Sequence, residues 1–213
     1  MIDKHEWRKK EKVLYLPKTH PEVVVVPEQN FITIKGEGSP ANAIFSDYIG
    51  ALYTVAYTIK MQLKQRGIQP KGYRDFTVYP LEGVWDLNEQ AKANFTGEIN
   101  KNDFVYTLMI RQPDFIDEAL YTEMLAIAKT KKQSNPLLEQ VCFEKITEGE
   151  CIQMLHLGAF DDEPASFARM EQFAREKEVR RLSKVHREIY LSDARKVMPE
   201  KLKTVLRFQV API

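Results

Sequence analysis

Hydrophobic residues along the chain follow two periods, and together these predict a mixed α+β fold. Period-two runs of β-branched and aromatic residues predict strands, and three- and four-residue steps predict amphipathic helices. The predicted strands are 23–26, 31–35, 76–85, 104–110, 143–146, 151–157, 186–191 and 204–210. The predicted helices are 41–66, 115–132 (broken by Ser134-Asn135-Pro136) and 164–178, and the polar residues 1–12 are interpreted as a docked or frayed helix.

The order of these elements repeats once along the chain. Each half has a strand, a glycine turn, a proline, a helix and two further strands, and an internal duplication explains that order. We therefore predict one domain over residues 1–213, with pseudo-symmetric halves at about 23–111 and 150–211 and a helical connector at about 112–149. This tandem strand-helix-strand-strand repeat is expected to form one antiparallel sheet, with both long helices on one face and a central ligand groove between them.

The strand 186–191 has the most informative polar pattern, because alternate side chains share a face of a strand. One face carries His186, Glu188 and Tyr190, and the other carries Arg187, Ile189 and Leu191. A carboxylate between an imidazole and a phenol is costly to desolvate, which is typical of a paired structural residue or a ligand site. An exposed edge strand with mixed polar residues explains the same pattern. We predict that Glu188 lies partly desolvated at the floor of the groove and accepts a hydrogen bond from a tyrosine hydroxyl.

Aromatic side chains are numerous enough to surround a flat or cationic ligand. The candidates are Trp85, Tyr53, Tyr57, Tyr79, Tyr106, Phe160 and Tyr190. Each of them alone is more typical of a core. For Trp85 we predict a place in the groove, because Pro80 and Gly83 kink its strand and lift the end of that strand. His156 is a candidate hydrogen-bond donor to a ligand, although a core histidine with satisfied nitrogens is the more typical interpretation.

Composition and charge narrow the class of protein. Hydrophobic residues make up 44% and charged residues 29% of the 213 residues, as in soluble globular domains. The net charge of +1 predicts no strong field for nucleic acids or membranes. No apolar run approaches the ~18 residues of a membrane span, and the charged N-terminus is not a secretory signal. We therefore expect a cytoplasmic protein.

Sequence motifs for common cofactors and nucleophiles are not found. Cys142 and Cys151 have neither the spacing nor the histidine partners of a zinc site, so we predict no metal site and two reduced thiols. Gly36 and Gly38 lack the third glycine of a dinucleotide fingerprint. There is no phosphate loop and no Ser-His-Asp or Cys-His pattern. These observations predict a protein that works without a cofactor.

Several short motifs, in the same order over both halves, resemble the GyrI-like small-molecule-binding family. In the second half they are Leu155-His156-Leu157-Gly158-Ala159-Phe160 and Glu188-x-Tyr190-Leu191-x-Asp193. In the first half they are Ile34-Lys35-Gly36-Glu37-Gly38, Gly50-Ala51-Leu52-Tyr53-x-x-Ala56-Tyr57 and Pro80-Leu81-Glu82-Gly83-x-Trp85. The resemblance covers nearly the whole chain and is greatest to a stand-alone branch of the family. Unlike the family's transcription regulators, this sequence has no helix-turn-helix pattern flanking the repeat, which argues against a one-component transcription factor.

The resemblance implies a fold, a site and an activity. It implies a tandem strand-helix-strand-strand fold with a central pocket, with Glu188 as the pocket acid and Tyr190 beside it. Some members of the stand-alone branch are cyclopropanoid cyclopropyl hydrolases, which open the strained ring of DNA-alkylating natural products inside an aromatic cage and so protect cells. This activity needs no cofactor.

These expectations define a leading function and two alternatives. The leading function is capture of a hydrophobic aromatic or cationic small molecule, followed by hydrolysis in which Glu188 and Tyr190 take part. The first alternative is binding alone, as a drug-sequestering protein or an effector module of a transcriptional response. The second is a structural interaction protein. None of the three requires direct contact with nucleic acid or a membrane, and the oligomeric state is left open.

Overall fold

The computed structural model describes residues 4–67, 69–130 and 135–213. It has a mixed α+β fold, and the strand pairs with a defined register are antiparallel. The predicted α+β class with antiparallel strand pairing is confirmed. None of the described helices is long and apolar enough to cross a membrane.

The strands and helices have the following bounds. The strands are β1 Glu22–Val26, β2 Gln29–Glu37, β3 Leu81–Leu87, β4 Phe104–Gln112, β5 Cys142–Ile146, β6 Gly149–Leu157, β7 Val179–Arg181, β8 His186–Tyr190 and β9 Lys203–Pro212. The helices are α1 Trp7–Lys10, α2 Lys12–Tyr15, α3 Ala43–Gln65, α4 Glu89–Ala93, α5 Glu118–Lys129 and α6 Glu163–Glu176. Short 3-10 turns lie at Lys101–Asp103, Pro136–Gln140, Phe160–Asp162 and Pro199–Lys201.

The chain forms two compact units. Unit 1 comprises the described residues of Met1–Glu6, Gln29–Leu81 and Trp85–Ile146. Unit 2 comprises Trp7–Glu28, Glu82–Val84 and Thr147–Ile213. The predicted halves at about 23–111 and 150–211, with their connector at about 112–149, stay a prediction, because this division does not test internal symmetry.

In unit 1, the strands follow the order β3 (without its residues Glu82–Val84), β4, β2 and β5. Helix α3 packs on β2, β4 and α5. The apolar stripe that the sequence predicts for α3 is confirmed, since Leu52, Ala56, Ile59 and Leu63 are buried. This stripe recurs at steps of three and four residues, so one side of α3 covers the strands. The exposed side is mixed and includes Tyr57 and Met61.

In unit 2, the strands follow the order β1, β6, β9 and β8, and β7 also pairs with β9. Helix α6 packs on β6 and β7. Its Met170 is buried among apolar residues of β6 and β9, including Met154 and Leu206, which are direct partners in the strand register. β8 pairs with the edge of β9 that lies opposite β6.

Three predicted segments differ from the structure. The strand predicted at 76–85 begins only at Leu81, because Pro80 has no N–H for a strand ladder. The helix predicted at 115–132 is α5, which begins after the N-cap Asp117 and ends at Lys129; its predicted end at Lys132 and the break at Ser134 lie outside the described residues.

The charged run 175–187, which the sequence indicates is a solvated helix end and linker, is the third difference. It contains β7, and Arg187 within it is buried. The exposed residues 175–178 and 182–184 agree with that interpretation, whereas β7 and Arg187 do not. Arg187 is buried because its charge is paired.

Candidate functional site

Glu188 is a buried carboxylate in the middle of β8. It lies opposite Leu206 of β9 in the antiparallel register. The residue is only 8% exposed, and its neighbour Ile189 is fully buried on the other face of the strand. The alternation of side chains along β8 therefore directs Glu188 away from the core side that Ile189 occupies.

Two neighbours on the same face hold the Glu188 carboxylate. The Tyr190 hydroxyl donates a hydrogen bond to Oε2 at 2.8 Å, and His186 Nε2 lies 3.1 Å from Oε1. The predicted hydrogen bond from a tyrosine hydroxyl is confirmed. The imidazole is itself fixed, because its Nδ1 lies 3.3 Å from the Lys184 carbonyl oxygen and its ring makes an edge contact with Phe167.

A second carboxyl group, Glu163, lies beside this cluster. Glu163 is the first residue of α6 and is 6% exposed, and its Oε1 accepts no hydrogen bond from the described residues. One donor atom each from Glu163, His186 and Glu188 lie within 4.8 Å of one another. Burial, and then the nearby charge of Glu188, raise the pKa of Glu163 to about 10. We call these three residues with Tyr190 the acidic cluster.

Sequence analysis did not find Glu163. The acidic turn 161–163 before a proline predicts only the start of a helix. Glu163 lies beside Glu188 because α6 packs on the strands of unit 2. No local spacing in the sequence relates the two residues. The sequence likewise predicted no metal site, because its three possible ligands come together only in the fold.

The other face of β8 carries a buried ion network of Glu82, Glu148, Arg187 and Arg207. Arg187 Nη1 contacts Glu82 Oε2 at 2.9 Å, and its Nε lies 3.1 Å from Glu148 Oε1. Arg207 Nη1 completes the network with Glu148 Oε2 at 2.9 Å. Burial raises the pKa of Glu82, while the charges of Arg187 and Arg207 oppose that rise. Both faces of β8 therefore carry charge, and Ile189 is its buried apolar residue.

Two other predicted ligand residues lie in unit 2. The Phe160 ring is partly exposed and makes an edge contact with Tyr190, with centroids 6.0 Å apart. His156 is buried, and its Nδ1 and Nε2 lie 2.9 Å from Ser166 Oγ and 3.0 Å from the Ala159 carbonyl oxygen. Because both its nitrogens have partners within the fold, His156 has the structural role that the sequence pattern favours. Phe160 lies next to the acidic cluster.

Trp85 and Tyr106 lie in unit 1, in an aromatic cluster. The Trp85 ring centroid is 5.0 Å from that of Tyr106 and 5.3 Å from that of Phe104, and Phe45 contacts both Trp85 and Tyr106. Trp85 is only 5% exposed. Neighbouring rings thus cover most of the indole, and the predicted role of Trp85 in ligand binding stays a prediction.

The remaining predicted aromatic residues lie elsewhere in unit 1. Tyr53 and Tyr57 form a ring pair on α3, with centroids 6.1 Å apart, and Tyr57 is 52% exposed. Tyr79 is buried; its hydroxyl lies 3.3 Å from His5 Nε2, and the Arg111 guanidinium lies 4.9 Å from the centre of its ring. Tyr79 is therefore engaged by a histidine and a cation of the same unit.

Gly36 shows how tightly the aromatic cluster packs against β2. A Cβ atom at Gly36 would overlap the Tyr106 ring and come within 2.8 Å of Tyr48 Cε2. We expect Gly36→Ala to lower the free energy of unfolding by about 1–3 kcal/mol through overpacking. Chemical denaturation measures this effect. Gly50→Ala is the matched control: no atom lies within 4 Å of its added Cβ on α3, so stability should stay equal or rise by up to about 1 kcal/mol. Equal effects of the two variants would contradict this account.

A mixed α+β fold with a buried carboxylate beside aromatic rings is typical of a protein that binds small molecules. The chain belongs to the family described as the GyrI-like small molecule binding domain, and the match covers residues 19–211. The family resemblance of the sequence motifs is confirmed. No curated protein is significantly similar to the chain in sequence.

Solved structures share the fold of this chain. The chain is 36% identical to a protein from Listeria innocua described as a hydrolase, with a TM-score of 0.85, and the match covers 97% of this chain and 100% of that one. A second Listeria innocua protein described as a hydrolase is 37% identical, with a TM-score of 0.88 and coverage of 98% and 100%. The C-terminal domain of EcmrR shares the fold at 13% identity, with a TM-score of 0.51 and coverage of 91% and 98%.

Proposed function

We propose that this protein hydrolyses the cyclopropane ring of cyclopropanoid DNA-alkylating natural products and thereby protects the cell. The observation that carries the proposal is the Glu188 carboxylate, buried and oriented by Tyr190 and His186. Similarity to two proteins described as hydrolases over nearly the whole chain supports an enzymatic role. The family supports binding of a small molecule.

The proposed reaction adds one water molecule to a cyclopropane that is fused to a dienone. The water oxygen forms a bond to a ring carbon while a carbon–carbon bond of the three-membered ring breaks. The released electron pair moves into the dienone, which becomes a phenol when its carbonyl oxygen gains a proton. Glu188 accepts the proton that the water loses and then releases it to solvent, while the phenolate oxygen gains one proton from solvent. The net change is the addition of one water molecule, so no oxidant, reductant or cofactor enters the balance.

Glu188 retains room for this water. A carboxylate offers about four lone-pair positions to donors. Tyr190 occupies one of them on Oε2, and His186 lies against Oε1. The Glu163 carboxyl also lies beside Glu188, and the attacking water is proposed to take a lone-pair position that these three neighbours leave. A positioned base of this kind typically accelerates a reaction by about 10²–10⁴-fold.

The preferred substrates are hydrophobic aromatic or cationic molecules. Phe160 and Tyr190 present two rings at right angles next to the carboxylate, which suits a flat ligand. The negative charge of Glu188 and the ring faces also favour a cation. The predicted roles of Trp85, Tyr53, Tyr57, Tyr79 and Tyr106 in ligand binding stay predictions.

Turnover in ¹⁸O-labelled water tests the proposal. We expect the ring-opened product to form in the presence of the protein and to carry one ¹⁸O atom, as measured by mass spectrometry. Saturable binding without product would support the alternative, a drug-sequestering protein or an effector module. Absence of both product and a ligand-induced shift in melting temperature would favour a structural interaction protein and reject the proposal.

A further inference from the structure

His186 and Glu188 direct two possible metal-ligand atoms at the same place. His186 Nδ1 faces the Lys184 carbonyl oxygen at 3.3 Å, and a carbonyl oxygen only accepts hydrogen bonds. This contact places a proton on Nδ1, so a neutral imidazole has its lone pair on Nε2. In that tautomer Nε2 can act as a metal ligand, and it lies 3.1 Å from Glu188 Oε1.

Glu163 is a third possible metal ligand, beside His186 and Glu188. The residue is only 6% exposed, and its buried Oε1 accepts no hydrogen bond from the described residues. A buried carboxylate oxygen without a partner is costly. The cluster therefore contains one imidazole nitrogen and two carboxyl groups that converge within 4.8 Å.

We propose that Glu163, His186 and Glu188 bind a divalent transition-metal ion such as Zn²⁺ or Mn²⁺. One nitrogen and two carboxylate oxygens are a ligand set that these ions accept, with further positions open to water or a ligand. Ions such as Mg²⁺ and Ca²⁺ prefer oxygen ligands alone and are expected to bind more weakly.

The geometry of the described residues suits such an ion after small side-chain shifts. Donor atoms about 2.0–2.2 Å from a tetrahedral metal lie roughly 3–3.5 Å apart. His186 Nε2 and Glu188 Oε1 already have that separation, at 3.1 Å. The outer contacts are also in place, since the Lys184 carbonyl orients the imidazole and the Tyr190 hydroxyl holds the other oxygen of Glu188.

This metal site does not depend on the proposed hydrolysis. A metal ion and a cationic ligand would compete for Glu188, whereas a neutral ligand would be spared. Binding of the metal alone is therefore the appropriate readout, separate from turnover.

Isothermal titration calorimetry with ZnCl₂ and MnCl₂ on the whole chain tests the site. We expect one ion per chain, and Co²⁺ should give visible absorption bands of a protein-bound ion. Glu163→Gln and His186→Ala should each weaken binding by more than about 100-fold, since loss of outer-shell partners already costs about 10–100-fold. His20→Ala and Cys142→Ser, at an exposed histidine and an exposed thiol, should bind like the unmodified protein.

Two results would overturn the proposal. If no ion binds, protons alone balance the charge of the cluster. If Zn²⁺ binds equally well to Glu163→Gln and His186→Ala, the ion is held elsewhere. Circular dichroism of each variant shows whether it is folded. Glu163→Asp serves as a second variant that keeps a carboxyl group and should restore part of the affinity lost in Glu163→Gln.

Discussion

Replacing Arg187 with methionine is expected to lower the free energy of unfolding by about 3–5 kcal/mol. The Arg187 side chain is 3% exposed and contacts Glu82, which is 1% exposed, and Glu148. The variant keeps much of the volume but leaves Glu82 buried without its arginine. The large cost comes from this unpaired charge and not from the net strength of the ion pair.

Urea denaturation of Arg187→Met measures the effect, and Arg180→Met is the matched control. Arg180 lies on β7, also in unit 2, but is exposed, so its loss should change stability by less than about 0.5 kcal/mol. The double variant Arg187→Met/Glu82→Gln removes both charges and should be less destabilised than the two single changes predict together. A cost below about 1 kcal/mol for Arg187→Met would show that Glu82 is not charged in the folded protein.

Periodic patterns made much of the fold predictable. The steps of three and four residues in α3 correspond to a buried stripe, and β-branched runs correspond to β2, β4 and β9. Periodicity fails where an element is too short to show it. The strand β7 has only three residues, two of them arginines, and it forms because β9 offers a pairing edge.

The site was predictable only where its residues are close in sequence. Glu188 and Tyr190 are two positions apart on one strand, so alternation alone brings the hydroxyl to the carboxylate. Arg187 and Glu82 are 105 positions apart, and Glu163 approaches Glu188 from a helix. Such pairs depend on tertiary packing. Arg187 lies in a charged stretch that is typical of an exposed segment, but it is buried because Glu82 and Glu148 neutralise its charge.

Contacts between residues close in sequence and contacts between residues far apart in sequence both act on β8. Ile189 and the register with β9 fix the position of β8. On the face that points away from Glu188, Arg187 forms ion pairs with Glu82 and Glu148. The opposite face then presents Glu188 with its hydroxyl and imidazole neighbours. Precise placement of a base within a fraction of an ångström needs such support from residues that never touch the ligand. The buried ion network is therefore expected to matter for the orientation of Glu188 as well as for stability.

Glu188→Gln is expected to lower turnover of a cyclopropanoid alkylator by about 10²-fold or more, the usual scale for loss of a general base. The amide keeps the shape of the side chain and still accepts a hydrogen bond from the Tyr190 hydroxyl, so the fold should be retained. It accepts a proton from water far less readily than a carboxylate does. Steady-state kinetics with product detection measures the change, and the melting temperature reports the fold.

Glu176→Gln on α6 is the matched control, because Glu176 is exposed. This variant should hydrolyse the substrate and bind ligands like the unmodified protein. Affinities for one cationic and one neutral aromatic ligand separate the two functions. If Glu188 only binds ligands, Glu188→Gln should weaken the cationic ligand and spare the neutral one, with no turnover in either protein. If the variant hydrolyses and binds as the unmodified protein does, Glu188 has no part in the mechanism, and the aromatic residues must act without it.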